Sequence, residues 1–125
     1  MRVVRAPGSF KGTAPAADAA AALADGWREV DPSAELLIRA MADGGEGTVD
    51  VFLSAAGGEA VYRDVTGPLG DVVRAKFAKI GDTAVIETAQ ASGLFLVPED
   101  SRDPMMTTTY GTGEMIRHAI GLGAN

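Results

Sequence analysis

The stretch ELLIRAMADGGEGTVDVFLSAA, Glu35 to Ala56, decides the fold. Glu35 to Met41 is largely apolar, as a strand is when helices cover both faces of a parallel sheet. A glycine loop follows, then a segment of helical character from about Glu46 to Ala56. Gly57-Gly58 supplies its stop. The unit is therefore strand, bare-backbone loop, helix, with Asp43 and Glu46 flanking the glycines.

Upstream, Arg2 to Ala6 reads as a short buried strand ended by Pro7 and Gly8. Thr13 is the expected N-cap of a helix that tolerates Pro15 in its first turn and runs to about Val30. Ala16, Ala20, Leu23, Trp27 and Val30 recur at helical spacing and are expected to face the core. Asp31-Pro32-Ser33 closes this helix. Downstream, Glu59 to Thr66 reads as a third strand. The order β-α-β-α-β predicts an α/β fold built on an open parallel sheet, a Rossmann- or flavodoxin-like half.

After Gly67-Pro68-Leu69-Gly70 the period changes. Val73, Ala75 and Phe77 alternate with Arg74 and Lys76 along Asp71 to Ile80. Gly81-Asp82 signals a β-hairpin returning through Thr83 to Glu87. A boundary is drawn near Thr66 to Gly70. Residues 1–66 then begin one α/β domain, and residues 67–125 form part of a second. TAQASG, LFLVP and the polar loop EDSRDP lead to TTTYGTGEMIRHAI, whose second half reads as a helix with Met115, Ile116, Ala119 and Ile120 inward. It stops at GLGAN, where a further strand would normally begin. Three parallel strands leave an edge uncovered, so the chain is expected to be the front part of a longer protein.

Composition narrows the function. A net charge of −6 opposes nonspecific attraction to nucleic acid or anionic membrane. The absence of cysteine excludes disulfides and thiolate chemistry. MRVVRAPGSF carries too short an apolar run for a signal peptide or membrane anchor, and the cytoplasm is the expected setting.

In open α/β sheets ligands bind at the C-terminal ends of parallel strands, where helix N-termini offer free amides. Two loops qualify. PGSFKGT, Pro7 to Thr13, adds Lys11 beside Ser9 and Thr13; its order and spacing are not those of a Walker A loop. Lys11 is either an anion contact or a surface lysine in a turn. For ADGGEGT two readings stand side by side. Asp43 and Glu46 form a capping box, or the bare backbone admits a ligand while a carboxylate holds Mg²⁺ or accepts a hydroxyl proton. TTTYGTGE, Thr107 to Glu114, is either an oxyanion site or ordinary turn-and-cap chemistry. Arg102 clamps a carboxylate or pairs with its acidic neighbours. His118, the only histidine, is read as a surface partner of Glu114 four positions earlier.

Together APGSFKGT, MADGGEGTVD, TGPLGD, AVIETAQASGLFLV and R-x-P-x-x-TTTYGTGE resemble the bacterial-type glycerate kinase family. These matches run in order over essentially the whole chain. The resemblance implies ATP-dependent phosphorylation of a hydroxyl of D-glycerate, with Mg²⁺. It also implies two α/β domains, one nucleotide-fold-like and the other inserted into it. Ser9, Phe10, Lys11 and Gly12 match the first family motif. Asp43, Gly44, Gly45, Glu46, Gly47 and Thr48 match the second, and Arg102, Thr108, Tyr110, Gly111, Thr112 and Gly113 the third. The expected catalytic residues are Lys11 and Asp43, with Asp43 also the metal contact. Ser9, Gly44, Gly45, Glu46, Thr48, Arg102, Thr112 and Gly113 are the expected substrate contacts. The expected partners are glycerate and ATP, with no nucleic acid or membrane, and a homodimer is left open. Family members usually carry an acid where this chain has Gly8, and they are much longer. The rival expectation is a non-catalytic module that binds small anions, or an inactive truncated product.

Overall fold

The computed structural model describes Met1–Asn125. The chain divides into two compact units, Met1–Val51 and Phe52–Asn125.

The first unit is built on β1 (Arg2–Arg5) and β2 (Glu35–Ile38), joined by helix α1 (Ala16–Val30). The strands pair in parallel, with Arg2 opposite Glu35 and Arg5 opposite Ile38. The pairing continues beyond the strands. Arg39 N donates to Arg5 O at 2.8 Å, and Met41 N to Pro7 O at 3.0 Å. Both loops of interest therefore leave the same end of the parallel pair, already held side by side.

Helix α1 buries Ala16, Ala19, Ala20 and Ala24. Leu23, Trp27 and Val30, expected to be inward, are 52%, 38% and 86% exposed. For Trp27 and Val30 the reason is length; Leu23, which precedes the buried Ala24, is not explained by it. A 15-residue helix spans about 22 Å, whereas four-residue strands span about 13 Å. The C-terminal turns of α1 overhang the sheet. The helix also begins later than expected: Pro15 is its N-cap, with no side-chain cap, so Thr13 does not serve.

Helix α2 (Thr48–Ala56) carries the chain into the second unit. There β3 (Glu59–Thr66), β4 (Val72–Ile80) and β5 (Thr83–Val85) form an antiparallel sheet in that order. This corrects the expected third parallel strand. β3 pairs with β4 along its full length, from Glu59 opposite Lys79 to Thr66 opposite Val72. A short turn makes that pairing local, closed by Gly67 N donating to Asp71 O at 2.6 Å. The pattern of β3 agrees: Val61 and Val65 are buried while Tyr62 and Asp64 are exposed. Such alternation marks an antiparallel sheet with one wet face. The change of period thus falls at Glu59, before the turn at which the sequence reading drew its boundary. The α/β class holds, with a parallel pair in one unit and an antiparallel sheet in the other.

The core of the second unit is Val61, Val65, Ala75, Phe77, Ala91, Met115 and Ala119. Ala91 comes from the short helix α3 (Ala89–Ser92), and the last two from α4 (Tyr110–Gly121). Gly111, Met115 and Ala119 form one buried stripe on α4 at four-residue spacing. Ile116 and Ile120, expected inward, lie a step round the helix and are exposed.

Candidate functional site: two glycine loops and a threonine-lined pocket

After β1 the chain closes a tight turn. Phe10 N donates to Ala14 O at 2.9 Å, and Thr13 N to Phe10 O at 2.8 Å. Lys11 sits within this turn and is exposed, as are Ser9 and Phe10.

After β2 the ADGGEGT loop takes a shape that only glycine supports at two points. Gly44 and Gly47 have φ of 91° and 89°, the left-handed region that side chains avoid. Asp43 Oδ1 accepts a hydrogen bond from Gly45 N at 2.9 Å, a turn two residues long. Thr48 Oγ1 donates to Gly45 O at 2.7 Å. The helix begins at Thr48, so of the two readings the capping box does not form: Asp43 orders its own loop instead, and exposed Glu46 stands outside the helix. The Gly45 amide, Asp43's own amide and, more weakly, the Lys11 ammonium hold the Asp43 carboxyl below its ordinary value. Lys11 and Asp43 thus stand on two loops that leave the same end of the strand pair, with the acid ionised at neutral pH.

Arg5 was not singled out by the sequence reading. It ends β1, where the Lys11 loop begins. It is 7% exposed, and its Nε, Nη1 and Nη2 are buried without hydrogen-bond partners. In sequence it reads as one more strand residue, and nothing local announces its burial.

The remaining expected site residues lie in the second unit. A pocket of about 540 Å³ is lined by Pro68, Ser92, Leu94, Val97, Arg102, Asp103, Pro104, Thr107, Thr108 and Thr109. Its size is within the usual range of small-molecule sites. Arg102 Nε donates to Val97 O at 3.2 Å. Its Nη1 lies 3.7 Å from Glu99 Oε1, too far for a hydrogen bond. Thr108 N donates to Pro68 O at 2.9 Å and ties the threonine run to the β3–β4 turn.

Thr112 does not offer its amide, which donates to Thr109 O at 3.1 Å. Its hydroxyl instead lies 2.8 Å from that of Ser92. Gly111 serves packing, since a Cβ there would run into the Thr66 carbonyl. Gly113 has open space about it. Glu114 Oε2 accepts from Thr66 N at 2.7 Å. That amide is the main cause of its lowered carboxyl pKa, and the Arg117 and His118 charges add to it. Ser92 and Pro68 were missed because the pocket assembles from segments distant in sequence.

Glycine loops at the C-terminal ends of a parallel strand pair, one bearing a lysine and the other an ionised aspartate, define an α/β protein with its candidate site at the strand tips. The family model described as the glycerate kinase family matches residues 3–125, and the chain belongs to that family. It is 50% identical to a glycerate kinase of Bacillus subtilis (strain 168), over 99% of this chain and 33% of that protein. It is 47% identical to the glycerate 2-kinase of Escherichia coli (strain K12), with the same coverage of each. A crystal structure of a protein provisionally assigned as glycerate kinase 2, from Salmonella typhimurium LT2, superposes with a TM-score of 0.81 at 47% identity. It is covered to 34% by 99% of this chain. The chain thus spans about a third of the length of these relatives.

Proposed function

We propose that this chain contributes to phosphoryl transfer from ATP to a hydroxyl of D-glycerate, giving phosphoglycerate. The observation that carries the reading is the placing of Lys11 and Asp43 on the two glycine loops that leave one end of the parallel pair β1 and β2. The names of the relatives supply the substrate, and that of the Escherichia coli protein favours the hydroxyl at C2.

In this reading the substrate oxygen attacks the γ-phosphorus as the bond to the ADP oxygen breaks. Asp43 orients the attacking hydroxyl and accepts its proton. Lys11 offsets charge on the transferring phosphoryl group, and Ser9 and the Gly44–Gly45 backbone line its approach. Such catalysis is mostly positioning and charge stabilisation. Asp43 also suits Mg²⁺, which commonly takes one or two carboxylates together with water and phosphate oxygens. Bound there, the ion would neutralise phosphate charge. Glu46 and Thr48 stand by as further contacts of the same loop. Within the second unit, Arg102 is a contact for an anionic group. Thr112 acts through its hydroxyl, while Gly113 leaves room at the start of α4. The first unit then belongs to the family's nucleotide-fold-like domain, and the second to its inserted domain. No helix is long and apolar enough to cross a membrane; the setting we propose is the cytoplasm, with ATP at hand.

The test is glycerate-dependent release of ADP by a full-length relative carrying these residues, in a coupled assay. Asp43→Asn and Lys11→Ala should each lower turnover by about 100-fold or more. Near-normal turnover in a folded Asp43→Asn protein would leave that carboxylate a loop-ordering role alone.

A further inference from the structure

The threonine-lined pocket contains one hydroxyl to which the sequence reading gave no role. Ser92 ends α3 and lines the pocket. Its Oγ lies 2.8 Å from Thr112 Oγ1 on α4, and either oxygen can be the donor. Two other polar side chains of the pocket are committed to their own segment. Thr108 Oγ1 accepts from Tyr110 N at 3.1 Å. Asp103 Oδ1 accepts from Met105 N at 2.9 Å. Arg102 is steadied by the Val97 carbonyl, with only a loose ion pair to exposed Glu99. Its fork therefore suits a carboxylate, which it can grip through two parallel hydrogen bonds. Leu94, Val97 and the two prolines supply apolar wall.

We propose that Ser92, oriented by Thr112, is the specificity-determining residue of this pocket, reading a hydroxyl of a small hydroxy-carboxylate whose carboxylate is held by Arg102. The choice of ligand rests on the function proposed above. A hydroxyl pair suits this task because one member fixes the other while leaving it able to give or take a further bond. A ligand without the hydroxyl would leave Ser92 unanswered, which is how buried polar groups reject close analogues.

Ligand-observed NMR titration of the chain with D-glycerate and with propanoate, which lacks both hydroxyls, tests this. The wild type should bind D-glycerate about tenfold more tightly, the worth of one good hydrogen bond. Ser92→Ala and Thr112→Val should each erase that preference while leaving propanoate affinity unchanged. Ser92→Thr should restore it. Arg102→Gln should weaken both ligands alike. A preference that survives Ser92→Ala, a loss that falls equally on both ligands, or a wild type that binds neither would overturn the proposal. An intact preference here, with no glycerate-dependent ADP release by a full-length relative carrying these residues, would retire the kinase reading and keep this site.

Discussion

Arg5 raises the sharpest question at the scale of single residues. A guanidinium buried without partners is among the most costly arrangements a core can hold. Replacing it by an apolar side chain of similar length removes that cost. Arg5→Met should raise the urea midpoint with an unchanged slope, a stabilisation of about 1–4 kcal/mol. A lower midpoint would show that the guanidinium is satisfied in solution. Glu114 makes the opposite kind of contribution. Its folded pKa is depressed by the Thr66 amide, so its stabilisation is complete above the ordinary value near 4.5 and vanishes as pH falls through the lower folded value. The difference in thermal midpoint between the wild type and Glu114→Gln should be constant near neutrality and close as the medium is acidified below that point. A gap that persists well below it would mean that the carboxylate is not the source.

Among the elements, α4 is placed by what it lacks. Gly111 brings the first turn against the Thr66 carbonyl, and Met115 and Ala119 continue the same stripe into the core. Gly111→Ala must push the helix away from the strand and should cost about 1–3 kcal/mol or more. Gly113, two residues on, faces open space, so Gly113→Ala should stabilise by up to about 1 kcal/mol through helix propensity. Chemical denaturation of the two variants side by side checks both. If they behave alike, the close approach at Thr66 is not what fixes α4. TTTYGTGE was read for its hydroxyls and amides, but half of its logic is this steric fit. Steric fit depends on a strand more than 40 residues away in the chain and cannot be seen locally. The ADGGEGT loop shows the same limit. Its glycines and acid were legible, yet a capping box and an acid that orders its own turn share one sequence pattern; only the start of α2 at Thr48 separates them.

At the scale of the whole molecule, the two units differ in how much each strand is supported. β1 and β2 are four residues each, paired in parallel under a helix that overhangs them. β3 and β4 pair along eight residues around a tight core. Native-state hydrogen exchange should therefore find the slowest amides in Glu59–Thr66 and Val72–Ile80, with Arg2–Arg5 and Glu35–Ile38 opening at lower free energy. Equal protection across both sheets would contradict this.

Sequence alone determined what short-range chemistry governs. It placed the elements to within a few residues, the hairpin at Gly81-Asp82, the bare loops after β1 and β2, and, through its motifs, the glycerate kinase family. Periodicity, turn residues and motif spacing are local properties, and they can be read along the chain. Tertiary structure decided the partner of β3, the exposure of Leu23, Trp27 and Val30, the burial of Arg5 and the meeting of Ser92 with Thr112. Each of those depends on which surfaces are near and how long they are, and only the folded chain sets such distances.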